Sequence, residues 1–412
     1  MTVPAPAHTQ GFTLIGHSDQ GGRPDAMQVQ YYRDHVYVGH LFSGGFSVLD
    51  VRDPRAMRVR HFESAPPGTW NIHLQAADDL LLVIHAKDLW AEFRDESQYY
   101  GGSVGTRLAG AERNWSAGVA VYDIADPANP RQISFLPVDG IGVHRLWYTG
   151  GRWAYASVLP DGYTDYVFAV IDLADPSRPR WAGSWHLPGM HTAGGEKPDW
   201  DTVHWRYALH HAIIDGDTAY ASWRDGGLTL LDVSDREAPS LIARRNWSPP
   251  FGGGTHTALP LPRRELLVVA DEAVADQLAD GLKNVWMFDI REPANPVSIA
   301  TFPHPDDEVD YGSKGGHFGP HNLHENRPGT FVSEYLIFAT YQNAGVRAVD
   351  ITDPYRPVEV GAFVPGAPTR LVDPRPGRPP VIQTADVTVT DTGLVFLTDY
   401  NAGLYAVQYE GI

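Results

Sequence analysis

The chain has 412 residues, no cysteine and a formal charge of −18. Disulfides, thiolate catalysis and Cys-ligated zinc or iron–sulfur centres are thereby excluded, and the charge argues against nucleic acid or an anionic membrane as partner. Abundant Gly (41), Pro (33), Tyr (19) and Trp (12) fit short strands joined by turns. No apolar stretch approaches a membrane span. Residues 1–10 lack a basic region followed by an apolar one, so no secretory signal is read and a cytoplasmic protein is expected.

In chain order, the first predicted element is a strand at Phe12-Thr13-Leu14-Ile15-Gly16. After it one phrase is written six times: an apolar run, an Asp, an apolar residue, then an acidic turn with Pro. The copies are Leu49-Asp50-Val51-Arg52-Asp53-Pro54, Tyr122-Asp123-Ile124-Ala125-Asp126-Pro127 and Ile171-Asp172-Leu173-Ala174-Asp175-Pro176. Leu231-Asp232-Val233-Ser234-Asp235, Phe288-Asp289-Ile290-Arg291-Glu292-Pro293 and Val349-Asp350-Ile351-Thr352-Asp353-Pro354 follow. A degenerate copy, Asn401 to Gln408, ends the series. Pro fixes φ and removes a donor, so each phrase stops a strand and starts a tight turn.

Successive phrases lie 49 to 73 residues apart, enough for a four-stranded sheet with an insertion. The fourth unit reads most plainly. Strands at Ala212-Ile213-Ile214 and Thr218 to Ser222 flank an Asp-Gly-Asp turn; Leu228 to Val233 and Ser240 to Arg245 follow. Repeated radially, such up-and-down sheets form propeller blades. The expectation is an all-β chain, one domain over residues 1–412, folded as a single seven-bladed β-propeller. The last unit lacks an outer strand, and the strand at about 12–16 is expected to fill it and close the ring, removing an exposed edge.

The phrase Val-Asp-Ile-x-Asp-Pro after a hydrophobic strand resembles the LVIVD repeat of bacterial β-propeller proteins. The resemblance spans nearly the whole chain and implies a fold; a repeat of this kind describes blade structure rather than chemistry.

Chemistry is expected on one face. The long connections, residues 87–118, 186–207, 273–283, 303–319 and 365–380, fall on the side where first strands begin and second strands end. Uneven investment in one face is what a binding site on a rigid scaffold requires. The first strands begin with Asn71-Ile72-His73, Gly142-Val143-His144, Leu209-His210-His211, Gly254-Thr255-His256 and Gly319-Pro320-His321. First strands line a propeller's channel, so His73, His144, His211, His256 and His321 are the candidate metal ligands. His211 is chosen over His210 because aligning Thr218 with Leu80 puts it level with His73. Converging imidazoles suit a divalent transition metal, Zn, Mn or Fe among them. Hydrogen bonding of each imidazole to nearby backbone is the plainer alternative.

The second strands end in His40, His85, Arg224, Glu272, Gln342 and Asp399. Glu272 follows an apolar strand, so burial is expected to raise its pKa toward that of a general acid or base; Arg224 is expected to clamp an oxyanion. His324 is expected to be structural, and Met190-His191 and Val203-His204 are expected to cap the site. Together these features point to a metal-dependent enzyme, a lyase or hydro-lyase acting on a small oxygenated substrate. Four-histidine iron oxygenation and a non-catalytic binding propeller are the alternatives. Propellers with similar histidine clusters include carotenoid-type iron oxygenases and manganese-dependent polyuronate lyases, an analogy of architecture alone. No Gly-x-Ser-x-Gly elbow, Walker loop or dinucleotide fingerprint is present.

Overall fold

The computed structural model describes residues 3–93 and 100–412; residues 94–99 of the long 87–118 connection and residues 1–2 lie outside the description. The repeated phrase folds the same way each time, for local reasons. Its first Asp accepts the backbone N–H two residues on: Arg52 to Asp50, Ala125 to Asp123, Ala174 to Asp172, Ser234 to Asp232, Arg291 to Asp289 and Thr352 to Asp350, at 2.7–3.2 Å. The second Asp repeats the device, as in Asp126 with Ala128 and Asp353 with Tyr355. Two successive side-chain turns of this kind end a strand without help from the ladder.

The apolar residue between the two Asp has its own task. Val51, Ile124, Leu173, Val233, Ile290 and Ile351 are all buried, and each donates its N–H to the turn joining the first two strands of its unit. In the degenerate last copy Gln408 replaces the Asp, yet Tyr409 still donates to Gly393. One phrase therefore ties the third strand, its exit turn and the neighbouring hairpin together.

The strands are antiparallel. Ala26–Tyr32, His35–His40, Gly45–Asp50 and Arg58–Ser64 form the first sheet in sequence order. A nine-stranded and an eight-stranded sheet each hold two successive repeats. In the former, Gly142 pairs with Ala86; in the latter, Arg224 pairs with Thr255. The sheets touch where a second strand ends and the next first strand begins. Further four-stranded sheets contain Leu336–Thr340, Val346–Asp350 and Val358–Val364, and then Thr384–Val389, Leu394–Asp399 and Gly403–Tyr409.

The core lies between facing sheets. Val36, Val38 and Leu49 of the first unit pack with Phe396, Leu404 and Ala406 of the last. Polar bonds reinforce that junction: Thr398 Oγ1 donates to the Met27 carbonyl at 2.8 Å, and Val29 N–H to Asp386 Oδ2 at 3.1 Å. Among the described residues, no helix is long and apolar enough to cross a membrane.

The N-terminus supplies two outer strands where the sequence predicts one. Phe12–Ser18 pairs with Gly403–Tyr409 in the last sheet, and His8–Gln10 pairs with Val358–Val364 in the sheet before it. Gly11, at φ +65°, makes the turn between them, a conformation that costs Gly little. Three residues, none of strong apolar pattern, are too short a signal to read. Phe12 is buried against the rings of Tyr409 and Phe338 at 4.9 and 6.3 Å. Phe12→Ala is therefore expected to lower stability by about 3 kcal/mol. Urea unfolding checks this; a loss under about 0.5 kcal/mol, the size of an ordinary surface substitution, would mean that the strand is only draped on the surface.

Candidate metal centre

Five imidazoles gather at one end of the first strands, and they form a chain. Ring centroids are 5.2 Å apart for His73–His144, 4.9 Å for His144–His210, 3.5 Å for His210–His256 and 4.6 Å for His256–His321. Nitrogens of His73, His144 and His210 lie within 4.8 Å of one another, as do ligand atoms of His256, Glu272 and His321. His73, His144, His256 and His321 are thus brought together as the sequence predicts. His211 is not.

The reason is register. Ser157, Ser222, Ala270 and Thr340 hold equivalent places in successive second strands, and they face Arg145, His211, Thr257 and Asn322. The residues just before these are His144, His210, His256 and His321. His73 offers its carbonyl to Ile84 N–H, so it is indeed level with His211, as counting implies. His73, however, is the exception among the five. Irregularities in pairing at Val143/Arg145, Tyr207/His211 and Thr255/Thr257 re-aim side chains in the way β-bulges do. His211 instead presents Nε2 to Glu325 Oε1 at 2.9 Å, with its ring against Trp147.

Tautomers separate the five further. His210 Nδ1 lies 2.9 Å from the His256 carbonyl, and His321 Nδ1 lies 2.5 Å from that of Ala385. A carbonyl only accepts, so both Nδ1 carry hydrogen and both Nε2 present lone pairs, the arrangement found behind metal-ligating histidines. His144 Nε2 is buried with no hydrogen-bond partner. His73 differs: its Nδ1 accepts from Arg145 Nη1 at 2.9 Å, which leaves the hydrogen on Nε2 when the ring is neutral. Burial drives His73, His144, His210 and His256 well below the ordinary histidine pKa, helped by neighbouring Arg and His. His321 is lowered too, chiefly by burial, with Glu272 opposing. The rings are neutral at pH 7, as metal ligation requires.

Glu272 sits against this chain, its oxygens 3.6 Å from His256 Nε2 and 3.5 Å from His321 Nε2. Arg224 Nη1 donates to it at 2.7 Å and Tyr100 Oη at 3.2 Å. The expected upward pKa shift is not found. Burial does push upward, but Arg224, His321 and His317 outweigh it, and the net direction is down. Arg224 reaches Glu272 from a left-handed backbone, φ +46°, a costly conformation for a residue with a Cβ. Gln342, also left-handed at φ +47°, donates to the Ala273 carbonyl at 2.6 Å.

The remaining rim residues are held locally. His40 contacts the Asp25 carbonyl and Ser47 Oγ. His85 contacts Ser116 Oγ, and burial lowers its pKa to about 4. Asp271 accepts from both Trp247 and Trp286 indoles at 2.9 and 2.6 Å, and Asp399 accepts backbone N–H groups of Gln383, Asn401 and Ala402. His324 Nε2 lies 2.7 Å from the Phe331 carbonyl. His191 stacks on Tyr163, whereas His204 lines a cavity beside the cluster.

Tyr100, Arg145 and Glu325 are polar groups at the cluster that sequence reasoning missed. An Arg directly after His144, inside the fully buried strand Gly140–Trp147, was the available signal for the second; nothing marks Tyr100, which arrives on a long connection.

The LVIVD repeat model matches residues 212–246. The fold is similar to the β-propeller domain of Cps50 (Swd1) from Myceliophteria thermophila, at a TM-score of 0.53 and 11% identity, covering 97% of this chain and 98% of that one. Two further structures are a computationally designed protein, Ika8 (TM-score 0.48, 10% identity, 98% and 100% covered), and a functionally unknown protein from Desulfotomaculum acetoxidans (0.49, 10%, 82% and 89%). No curated protein matches the sequence. Identities this low speak to fold and not to activity. The chain thus carries an LVIVD repeat in its fourth unit and has the fold of a β-propeller.

Proposed function

We propose that the chain is a metal-dependent enzyme, a lyase or hydro-lyase acting on a small oxygenated substrate at the mouth of a single seven-bladed ring. Packing of the last unit against the first, with Phe12–Ser18 as outer strand of the last sheet, supports closure at seven. The observation that carries the functional reading is the donor set. His144, His210, His256 and His321 are buried, neutral and consecutive in the chain of rings, and two of them have Nε2 lone pairs fixed by carbonyls behind the ring. These four would hold a divalent ion, and the absence of thiolates leaves Zn, Mn or Fe as fitting choices. His73, whose Nδ1 is occupied by Arg145, stands outside the set.

When bound, the ion supplies Lewis-acid polarisation of a substrate carbonyl or carboxylate. Glu272, kept ionised by Arg224 and oriented by Tyr100, is a proton acceptor in the same place. That assignment suits a step that removes a proton next to the polarised group. Four imidazoles also suit ferrous iron, so metal identity separates the lyase reading from oxygenation.

The test is elemental analysis of protein purified without an affinity tag, beside a His144→Ala/His256→Ala variant. About one equivalent of one transition metal, lost in the variant, is expected. Metal-free protein that stays metal-free after supplementation, with the variant folding normally, sinks the enzyme reading and leaves a binding propeller.

A further inference from the structure

His73 differs from the other four imidazoles of the cluster, because a cation donates to it. Arg145 Nη1 lies 2.9 Å from His73 Nδ1. A guanidinium only donates, so Nδ1 accepts, and a proton added there would set two donors face to face. The ring is therefore neutral, with its hydrogen on Nε2. Among the described residues, no acceptor for that N–H lies within hydrogen-bond distance, although His73 is only 3% exposed. Buried donors are nearly always satisfied, so this one calls for a partner.

We propose that His73 is a catalytic residue of the site described above: its Nε2–H donates to the carbonyl or carboxylate oxygen of the substrate. Arg145 is the positioning residue that keeps the hydrogen on that nitrogen. The substrate's place rests on the metal reading, whereas the hydrogen's place rests on the side chains alone.

Nδ1 is turned to Arg145, so the N–H faces away from it. His144 and His210 stand edge-to-face to the His73 ring, at 5.2 and 6.4 Å between centroids, and a nitrogen of His73 lies within 4.8 Å of nitrogens of both. The donor is thus held at the cluster itself. Arg145 is held in turn: it is 1% exposed, and Nη2 donates to Glu325 at 3.0 Å and to Asn322 Oδ1 at 3.4 Å. Its backbone N–H donates to Ser157 Oγ at 2.9 Å. The backbone around His73 is fixed as well. Its carbonyl accepts from Ile84 N–H at 3.0 Å, and Leu74 N–H donates to Gln28 Oε1 at 2.8 Å. Gly39 packs against the same segment, where a Cβ would lie 2.4 Å from the Ile72 carbonyl oxygen. A donor fixed before the substrate arrives needs no reorganisation during the reaction.

The chemistry uses that donor once. When Glu272 takes a proton from the carbon beside the carbonyl, the C–H electron pair moves into the carbonyl and leaves an enolate oxygen. A neutral imidazole stabilises such an oxygen by hydrogen bonding while keeping its own proton. Glu272 alone ends the step protonated. The substrate class narrows to carbon acids with a hydrogen next to a carbonyl or carboxylate.

The experiment is a long-range proton–nitrogen NMR spectrum of protein carrying isotope-labelled histidine, recorded without metal and with zinc. The hydrogen is expected on Nε2 of His73 in both, and on Nδ1 of His210 and His321. Arg145→Lys should keep the His73 tautomer, and Arg145→Met should mix the two. Beside it, zinc-loaded protein is titrated with acetohydroxamate, which offers the ion an oxygen, and with N-methylimidazole, which has none. His73→Phe should leave zinc content and N-methylimidazole binding unchanged and weaken acetohydroxamate about tenfold or more, the range for a hydrogen bond to a charged acceptor. His73→Gln, which keeps an N–H, should restore most of that loss, and so guards against misfolding. Hydrogen on Nδ1 of His73, loss of the Nε2 hydrogen on zinc loading, or acetohydroxamate that does not distinguish parent from His73→Phe overturns the proposal while the metal reading stands. Protein that takes up no metal overturns both.

Discussion

Truncation of Glu325 to Ala is expected to lower folding stability by about 3–5 kcal/mol, the range for breaking a buried ion pair on one side. Glu325 lies just below the histidine chain, 5% exposed. One oxygen accepts from Arg145 Nη2 at 3.0 Å and from His211 Nε2 at 2.9 Å; the other lies 3.7 Å from Arg327 Nη1. Burial alone would raise its pKa, but His211, Arg145 and Arg327 hold it far below the usual carboxylate range. Without it, two guanidinium groups face each other in a closed space, and burial has already lowered Arg327 to about 10. The sign with pH follows: a depressed carboxylate stabilises above its unfolded pKa, and that contribution fades as pH falls toward the folded value.

Urea unfolding at pH 7 measures the loss. Adding Arg145→Met to Glu325→Ala should recover part of it, because one unpaired cation is then gone. A single-variant loss under about 1 kcal/mol would show that water solvates the cluster as it does a surface pair.

The repeat was legible because its cause is local. Asp50, Asp123 and their counterparts bond backbone two residues away, so the phrase carries its own turn wherever it stands. Convergence of histidines was legible by type, because successive units write one at the same end of the same strand. The choice between His210 and His211 was not. Irregular pairing shifts facing by one residue, and nothing in Leu209-His210-His211 marks where it falls. A pairwise reading would have helped: His144-Arg145 and His321-Asn322 each set a histidine before a polar residue whose N–H meets a hydroxyl, Ser157 or Thr340. The ionisation of Glu272 was also out of reach. It depends on Arg224 adopting a left-handed backbone, and a strand pattern predicts the reverse. Tyr100 depends on the path of a long connection, which carries no periodicity to read.

Asp386 should make the protein less stable as pH rises. It lies in the inner strand Thr384–Val389 and accepts the Val29 N–H across the junction of the last and first units. Burial pushes its pKa up to about 7; Arg145 opposes this and Glu325 adds to it. An unfolded Asp releases its proton near 3.9. Between those values the folded chain holds a proton that the unfolded chain has lost, so stability falls across that window and levels off above about pH 8. Three pKa steps correspond to about 4 kcal/mol as an upper bound. Asp386→Asn keeps an oxygen for Val29 and cannot ionise. The variant should match the parent at pH 4 and exceed it by about 2–4 kcal/mol at pH 8. Asp271 and Asp399, also raised by burial to about 6, tilt both proteins alike, so the difference between them isolates residue 386. Measuring both with a chelator present keeps metal–proton exchange at the histidines out of the comparison. Parallel pH curves would mean that Asp386 is ionised in the folded state throughout, with Arg145 rather than burial setting its charge.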